Sequence, residues 1–320
     1  MKKQIFYLTF IQANTQKGSG VFKKIEAQIK AFNRAGIDVF LGKYNNDMSH
    51  YHIIKGDTEV CSLKIVGLSS FKRDKAIIAK VQEFLLANSI SIVYTRWEQY
   101  SLRSANFYHS LKNKGIDVLL EVPTYPTTER LISLKSDFVA KRYSIFIKRS
   151  LAAIYGSMGI PFFKYGVSHI INNNGYDNIW NIPVLKITNA VGVESIPIAA
   201  QIQTPNEIRL ISVANIADWH GYDRILTGLK EYYSETQEIA VKYTVVGLGD
   251  GLAKLKSIVE SSGLENYVSF AGFKTGNELT QLFDKSNVGV SILGIHRAGM
   301  KYIDTLKGRE YCARALPFIT

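Results

Sequence analysis

Cysteine is scarce in this sequence, and long apolar runs are absent from it. The two cysteines among 320 residues, Cys61 and Cys312, lie in separate halves, so no disulfide framework is available and a cytosolic chain with reduced thiols is expected. No stretch reaches the ~18 apolar residues that span a bilayer. The apolar start of the chain, residues 4–11, is not followed by a small-residue cleavage site, which favours a buried strand over a signal peptide.

The sequence also lacks the common catalytic signatures. It shows no zinc-ligand spacing, no Asp-x-Asp pair for a divalent metal, no nucleophile elbow and no Cys-His signature. Neither a metal nor a cofactor is therefore predicted. Any chemistry is expected to come from electrostatics arranged in a cleft.

Acidic residues are the third shortage, because 39 basic residues face 27 acidic ones and the net charge is +12. Much of the excess lies in residues 135–164, where apolar and aromatic residues interleave with the cations and Asp137 is the one acid. This pattern predicts a basic amphipathic helix, which is typical of a surface that lies on anionic lipid. A solvated helix packed on its own domain is an equal alternative. Nucleic-acid binding is a weaker one, since no DNA- or RNA-binding motif occurs.

What the chain does contain is a globular composition and a repeated pattern. Its length exceeds one ordinary core, and 46% of its residues are apolar, so two ordered domains are expected. Strand and helix patterns alternate twice along the sequence, which predicts α/β units with parallel, doubly wound sheets. We expect two Rossmann-like domains facing each other across a cleft: residues 1–190, a hinge or linker at 191–206, and residues 207–320.

Two glycine-containing segments are placed to approach a ligand. Gly18, Ser19 and Gly20 lie between the first predicted strand and helix, and Gly247 opens a second glycine-rich segment after a later strand. Glycine lets the backbone approach an anion, and a helix N-terminus attracts it. Neither segment matches a P-loop or a full dinucleotide fingerprint, so taken alone each is more often a turn.

Further polar residues follow the strands of the second half. Asn215, His220 and Gly221 come after its first strand, and Lys301 follows a later one near His296 and Arg297. Ligands of open α/β sheets bind at the carboxyl ends of the strands. Cationic side chains at that edge suit a diphosphate, with an exposed loop as the alternative.

The closing residues 305–320 read as a short helix, a turn at Pro317 and the start of a buried strand. Glu310 is an acid on this helix, which is expected to point into the carboxyl edge of the sheet. Lys307 and Arg309 are expected to contact solvent or a partner.

Residues 208–320 resemble the donor-binding domain of family 4 glycosyltransferases, which have the two-domain GT-B fold. The resemblance lies in the ordered combination of several segments, and the first half matches more loosely. It is most similar to bacterial enzymes of capsular or exopolysaccharide synthesis. The segments are Ser212–Asn215, Trp219–Arg224, Val246–Gly251, Val268–Gly272 and Leu306–Ile319.

The resemblance implies a retaining, metal-independent transfer of a sugar, expected to be UDP-linked, to a lipid-linked or polysaccharide acceptor. It implies that Glu310 holds the donor ribose and that amides near Thr305 and Leu306 face the diphosphate. The sequence departs from the family pattern at Tyr302, where the family has a first glutamate. It departs also at Asn215 and His220, where the family has Arg and Lys.

The predicted function is therefore that of a cytoplasmic hexosyltransferase, peripheral at the inner face of the cell membrane. The alternatives are a catalytically silent subunit that binds a partner enzyme and a nucleotide-sugar epimerase of the same fold. Glu98, His109 and Glu121 are weak catalytic candidates because they lie near strand ends or the cleft. Family members continue beyond the last strand, so a truncated C-terminal domain is also expected.

Overall fold

The structure of the chain is a computed structural model, and it divides the chain into two compact units, Met1–Thr188 and Asn189–Thr320. It describes residues 3–12, 16–96, 100–123, 125, 134, 138, 141–173, 175–200, 202–235, 237–300 and 302–320, with side chains left out at 16, 17, 19 and 20. Both units are α/β, as the sequence predicts. No helix of the described residues is long and apolar enough to cross a membrane.

The first unit is built on a nine-stranded sheet of order β4-β3-β2-β1-β5-β6-β7-β9-β8. Strands β2, β1, β5, β6, β7 and β9 are parallel, whereas β3, β4 and β8 pair antiparallel with their neighbours. The strands are β1 Gln4–Thr9, β2 Asp38–Tyr44, β3 His50–Lys55, β4 Thr58–Lys64, β5 Ile92–Arg96, β6 Asp117–Glu121, β7 His169–Asn172, β8 Asn178–Ile179 and β9 Ile182–Lys186.

Four α-helices of this unit are described: α1 Gln16–Arg34, α2 Ser70–Ala87, α3 Leu102–Lys112 and α4 Tyr143–Tyr155. Serine side chains begin two of them, because Ser69 accepts from the amide of Lys72 and Ser101 from that of Ser104. A short 3₁₀ helix, Ile160–Tyr165, follows α4. Apolar side chains on both faces of the sheet form two cores, one including Phe6, Val93 and Leu120 and the other including Tyr7, Ile25 and Tyr94.

One sequence prediction in this unit is wrong in detail, and one feature was missed. The predicted loop with Gly18, Ser19 and Gly20 lies inside α1, which begins at Gln16 rather than near Val21. The hairpin of β3 and β4 was not expected. Its strands are joined by Gly56 and Asp57, and Gly56 takes the positive φ of 58° that a tight turn needs.

The second unit has a five-stranded, fully parallel sheet of order β12-β11-β10-β13-β14. Its strands are β10 Glu207–Val213, β11 Ala240–Val246, β12 Val268–Gly272, β13 Val288–Val290 and β14 Phe318–Ile319. Its helices are α5 Tyr222–Tyr232, α6 Leu252–Ser261, α7 Gly276–Asp284 and α8 Leu306–Ala313. Two 3₁₀ turns, Asp218–His220 and Ile295–Ala298, follow β10 and β13.

Segment 191–206, predicted as a hinge, carries hydrogen bonds within the second unit. The amide of Ala199 donates to the Arg314 carbonyl at 2.9 Å, and that of Ile202 donates to the Asp284 carbonyl at 2.8 Å. Ala199 also belongs to the apolar core around Phe283 and Tyr311. The proposed domain limits stay a prediction.

Candidate functional site

The strand order of the second unit indicates the position of a ligand site. The chain runs outward from β10 through β11 to β12, and it resumes on the other side of β10 with β13 and β14. The direction in which strands are added therefore reverses at β10, and the loops that follow β10 and β13 lie beside each other at the carboxyl edge. Crevices at such a reversal are the usual binding sites of open parallel sheets.

Glycines bring the loops at this edge into close backbone contact. A Cβ on Gly247 would lie 1.8 Å from the carbonyl oxygen of Ala214, and φ at Gly247 is 122°. A Cβ on Gly221 would lie 2.6 Å from the amide nitrogen of Gly294, with φ at 71°. These close backbone contacts alone require glycine at both positions, whether or not a ligand binds. The structure thus assigns Gly221 and Gly247 to loop packing, and direct donor binding by either stays a prediction.

His220 lies buried at the end of the loop after β10, 5% exposed. Its ring stacks between those of Trp219 and Tyr222, at centroid distances of 4.2 and 5.3 Å. The amide of Ala217 donates to Nδ1 at 3.0 Å. Because an amide N–H only donates, Nδ1 must accept this bond, although the Ala217 carbonyl oxygen lies 3.2 Å away. The proton of the imidazole is therefore assigned to Nε2.

The charge state of His220 follows from its surroundings. Burial, with the ammonium of Lys307 as a second cause, lowers the pKa of His220 to about 2. The ring is consequently neutral at physiological pH and keeps one N–H donor. It can donate to an anion but contributes no positive charge.

Lys307 supplies the charge that His220 lacks. Its Nζ donates to the Tyr222 hydroxyl at 3.1 Å and lies 5.5 Å from the centroid of that ring. The side chain is half-buried, and desolvation lowers the pKa of Lys307 to about 7. No salt bridge to Lys307 occurs among the described residues. This placement corrects the prediction that Lys307 contacts solvent or a partner.

Lys307 also stands in the first turn of α8, against the helix dipole. That end carries partial positive charge, so an acid is the residue favoured there. Thr305 caps the helix, its Oγ1 accepting from the amide of Gly308 at 3.0 Å. The amides of Leu306 and Lys307 precede Gly308 in this first turn, where helix N–H groups have no intrahelical acceptor. A lysine amine beside these free amides is electrostatically unfavourable unless an anion binds. A lysine in the first turn of a predicted helix is therefore the sequence feature that could have identified Lys307 as a site residue.

Glu310 lies one turn further along α8 and is paired. Its Oε1 accepts from Arg314 Nη2 at 2.9 Å and Nε at 3.2 Å. Arg314 is buried, and its guanidinium lies 4.1 Å from the centroid of Phe283. This pair leaves Glu310 Oε2 without a described partner. The sequence-based prediction missed Arg314 as the group that orients this carboxylate.

The other residues predicted to contact the donor lie in different environments. Asn215 is exposed just beyond β10, at the same edge. Arg297 is held by Asp223 through two hydrogen bonds of 2.7 and 3.0 Å, so it neutralises an acid and is not a ready cation for a diphosphate. Lys301 and Glu98 lie outside the described residues. In the described part of the chain no group of three His, Cys, Asp or Glu side chains is arranged to hold a metal ion.

The carboxyl edge of the first unit holds Glu121, which is 2% exposed at the end of β6. Its Oε1 accepts from Lys24 Nζ at 2.9 Å and Arg96 Nη1 at 2.5 Å, and its Oε2 accepts from the Tyr94 hydroxyl at 2.7 Å. Burial opposes ionisation, but Arg96 and Lys24 outweigh it and lower the pKa of Glu121 to about 2. A carboxylate so stabilised is a poor general base at neutral pH.

His109, one of the remaining candidates, is separated from this edge. His109 lies in the last turn of α3 and is exposed, with Nδ1 at 3.3 Å from the Tyr165 carbonyl oxygen. That helix end is next to the start of β6, opposite to the carboxyl edge, so the expected position of His109 is corrected. Gly18 is buried in the first turn of α1.

No protein-family model matches the sequence, and no curated protein matches it significantly. Solved structures do match over nearly the whole chain. Sucrose-phosphate synthase from Thermosynechococcus elongatus superposes with a TM-score of 0.60 at 12% identity, over 99% of this chain and 80% of that one. HepE from Anabaena, solved with UDP and glucose, gives 0.52 at 12% identity over 99% and 80%. The outer-core galactosyltransferase WaaB gives 0.55 at 11% over 98% and 79%.

These likenesses concern the fold. The chain has the two-sheet α/β architecture of GT-B glycosyltransferases, which confirms the fold class predicted from the sequence.

Proposed function

We propose that the protein is a retaining glycosyltransferase that takes a sugar from a nucleotide-diphosphate donor, UDP-linked, and adds it to a lipid-linked or polysaccharide acceptor. The observation that carries the proposal is that Lys307 and the neutral donor His220 both contact Tyr222 at the strand-order reversal. Similar structures solved with UDP and with UDP-glucose add support at the level of fold.

The arrangement of donors suits a diphosphate. Lys307 brings one ammonium, His220 one Nε2–H, and the first turn of α8 brings backbone amides beside Thr305. A diphosphate has several acceptor oxygens and a negative charge, and helix N-termini bind such groups. The half-burial of Lys307 strengthens its attraction to an anion, because less water screens it.

The same groups would assist the reaction. In the transfer, the bond from the anomeric carbon to the diphosphate oxygen breaks, a bond to an acceptor hydroxyl oxygen forms, and the hydroxyl proton passes to the departing diphosphate. Negative charge then grows on the leaving diphosphate, where Lys307 and His220 Nε2–H would stabilise it. Removing one such donor in other enzymes costs about 2.7–4 kcal/mol of barrier.

Glu310 is proposed to hold the donor ribose. Arg314 occupies Oε1 and fixes the carboxylate, which leaves Oε2 to accept from ribose hydroxyls. Glu310→Gln should therefore weaken binding of UDP by roughly tenfold, the loss of one hydrogen bond to a charged acceptor. The matched control is Glu278→Gln, an exposed carboxylate on α7 that pairs with Lys274. Equal UDP affinity for Glu310→Gln and wild type would remove Glu310 from the site.

Turnover tests the proposal as a whole. The full chain would be incubated with a panel of UDP-sugars and with undecaprenyl-linked or polysaccharide acceptors, and UDP release and the glycosylated product would be measured. The proposal expects both, with the anomeric configuration of the donor kept in the product. Inversion of that configuration would overturn the retaining assignment.

The alternatives give different results in the same assay. Conversion of one UDP-sugar into another without an acceptor would identify an epimerase. Tight UDP binding without any product would favour a silent subunit, for which the exposed Tyr302 in place of a family glutamate is the observation.

A further inference from the structure

Helix α4 exposes its apolar side chains. All residues of Tyr143–Tyr155 are described, and none is buried. At 100° per residue, five large side chains fall within an arc of about 120°. We call these the apolar stripe: Tyr143, Ile147, Leu151, Ile154 and Tyr155, which are 53, 57, 62, 61 and 49% exposed.

A neighbouring arc of α4 is less exposed than the apolar stripe. Phe146, Ser150 and Ala153 are its half-buried residues, and they fall within a separate arc of about 60°. The end of the helix is fixed by backbone bonds, since the Tyr100 amide donates to the Gly156 carbonyl and the Gly159 amide to the Tyr100 carbonyl, both at 2.8 Å. The apolar stripe thus lies on a helix whose C-terminal end is anchored by backbone hydrogen bonds.

The exposed apolar surface continues past the helix. Met158, Phe162 and Tyr165 are 47, 50 and 57% exposed, although Phe163 between them is buried. Large exposed apolar patches are uncommon on soluble monomers and commonly mark interaction sites.

The charge around the stripe selects the partner. Residues 141–165 contain no Asp or Glu, and their basic residues are Lys141, Arg142, Lys148, Arg149 and Lys164. Lys148 borders the stripe on the helix, and Lys141 precedes the helix; both are exposed. Apolar residues flanked only by cations match a surface that combines acyl chains with anionic headgroups.

We propose that α4 and the segment to Tyr165 form a membrane-docking surface that lies in the interface of an anionic bilayer. The apolar stripe enters the headgroup–acyl boundary, and the flanking lysines contact anionic headgroups. A helix of this length lies along the surface and does not span it. The inference is independent of the donor site, which lies in the other unit.

The test is flotation of the full chain with vesicles of phosphatidylglycerol mixed with phosphatidylcholine, against pure phosphatidylcholine. Wild type should float with the anionic vesicles and much less with the neutral ones. Ile147→Ser/Leu151→Ser and Lys141→Glu/Lys148→Glu should each weaken binding by at least roughly tenfold. Lys72→Glu/Lys75→Glu, at two exposed lysines of α2, is the matched control and should bind within about twofold of wild type.

Thermal melts of each variant show whether it is folded, and sedimentation analysis shows whether it is a monomer. Failure of folded wild type to float with anionic vesicles overturns the proposal. So does equal loss of binding in the α2 control, which would show a response to net charge alone. A dimer that dissociates in Ile147→Ser/Leu151→Ser, without vesicle binding by wild type, would make the stripe a contact between copies of the chain.

Discussion

The two units use charge differently at the carboxyl edges of their sheets. In the first, Glu121 is buried between Lys24 and Arg96, and each cation is held by that acid. In the second, Lys307 and His220 have no acidic partner among the described residues, and one of them is uncharged. The first arrangement pairs its two cations with one internal acid, whereas the second leaves donors to be satisfied from outside.

This contrast indicates which edge is expected to respond to a ligand. A buried ion cluster costs desolvation and depends on all its members, so its removal is felt as lost stability. A desolvated amine without an anion lowers the stability of its sheet edge, and binding of an anion offsets that cost. We therefore expect changes in the first unit to alter folding and changes in the second to alter binding.

The largest expected effect is that of Glu121→Gln. It leaves Lys24 and Arg96 buried without an anion, a type of change that costs about 3–5 kcal/mol of unfolding free energy. Urea denaturation at pH 7 measures the loss. Asp117→Asn removes an exposed partner of Lys112 in the same unit and should cost at most about 1 kcal/mol. Similar losses in the two variants would contradict the structural role of Glu121.

Lys307→Met tests the opposite behaviour. The variant loses a charge-assisted bond to the diphosphate, worth about 1.5–3 kcal/mol, or roughly 10–100-fold in UDP affinity. Its unfolding free energy should stay equal or rise, because a half-buried ammonium is replaced by an apolar chain of similar length. Lys254→Met is the control, since this exposed lysine pairs with Asp218 in the same unit. A loss of stability without a loss of UDP affinity would contradict the binding role of Lys307.

Acid sensitivity should distinguish His220. Its pKa is lowered to about 2 in the folded protein, against about 6.5 when unfolded. Between these values the unfolded state binds the extra proton, so stability falls as pH decreases below 6.5, by up to about 1.4 kcal/mol per pH unit. His220→Gln should show a shallower fall between pH 6.5 and 5, measured by urea midpoints. His109→Gln, the same substitution at an exposed side chain, is the control, and an equal fall in His220→Gln and wild type would contradict this role of His220.

The smallest effect is a proton uptake on binding. The pKa of Lys307 is about 7 in the free protein, and a bound anion should raise it. At pH 8 UDP binding should therefore take up a fraction of a proton, seen as a dependence of the calorimetric heat on buffer ionisation enthalpy. Lys307→Met should remove that dependence. Its persistence in the variant would assign the proton to another group.

The sequence predicted the parallel α/β units well because buried strands and amphipathic helices have distinct periods. Helices α3, α5 and α6 alternate with parallel strands as that pattern predicts. It failed at the start of α1, since glycines inside a helix read as a loop, and at the hairpin of β3 and β4, whose strands pair outside the repeated pattern.

The site was less predictable. Tautomer, burial and long-range pairing depend on tertiary contacts, so Lys24 beside Glu121 had no signal in the local sequence. The i,i+4 spacing of Glu310 and Arg314 on a predicted helix was such a signal, and it was missed. Gly221 and Gly247 were predicted as donor contacts, and the structure shows both in loop packing, with Gly247 against Ala214. Lys307 was misjudged because its spacing does not show the Tyr222 ring against which it lies.

The most direct measurement for the central claim is a calorimetric titration of the folded full chain with UDP, carried out in parallel on Lys307→Met. The account predicts saturable binding to one site by wild type and affinity at least roughly tenfold weaker in the variant. No UDP binding by well-folded wild type would contradict it, as would equal affinity of the two proteins.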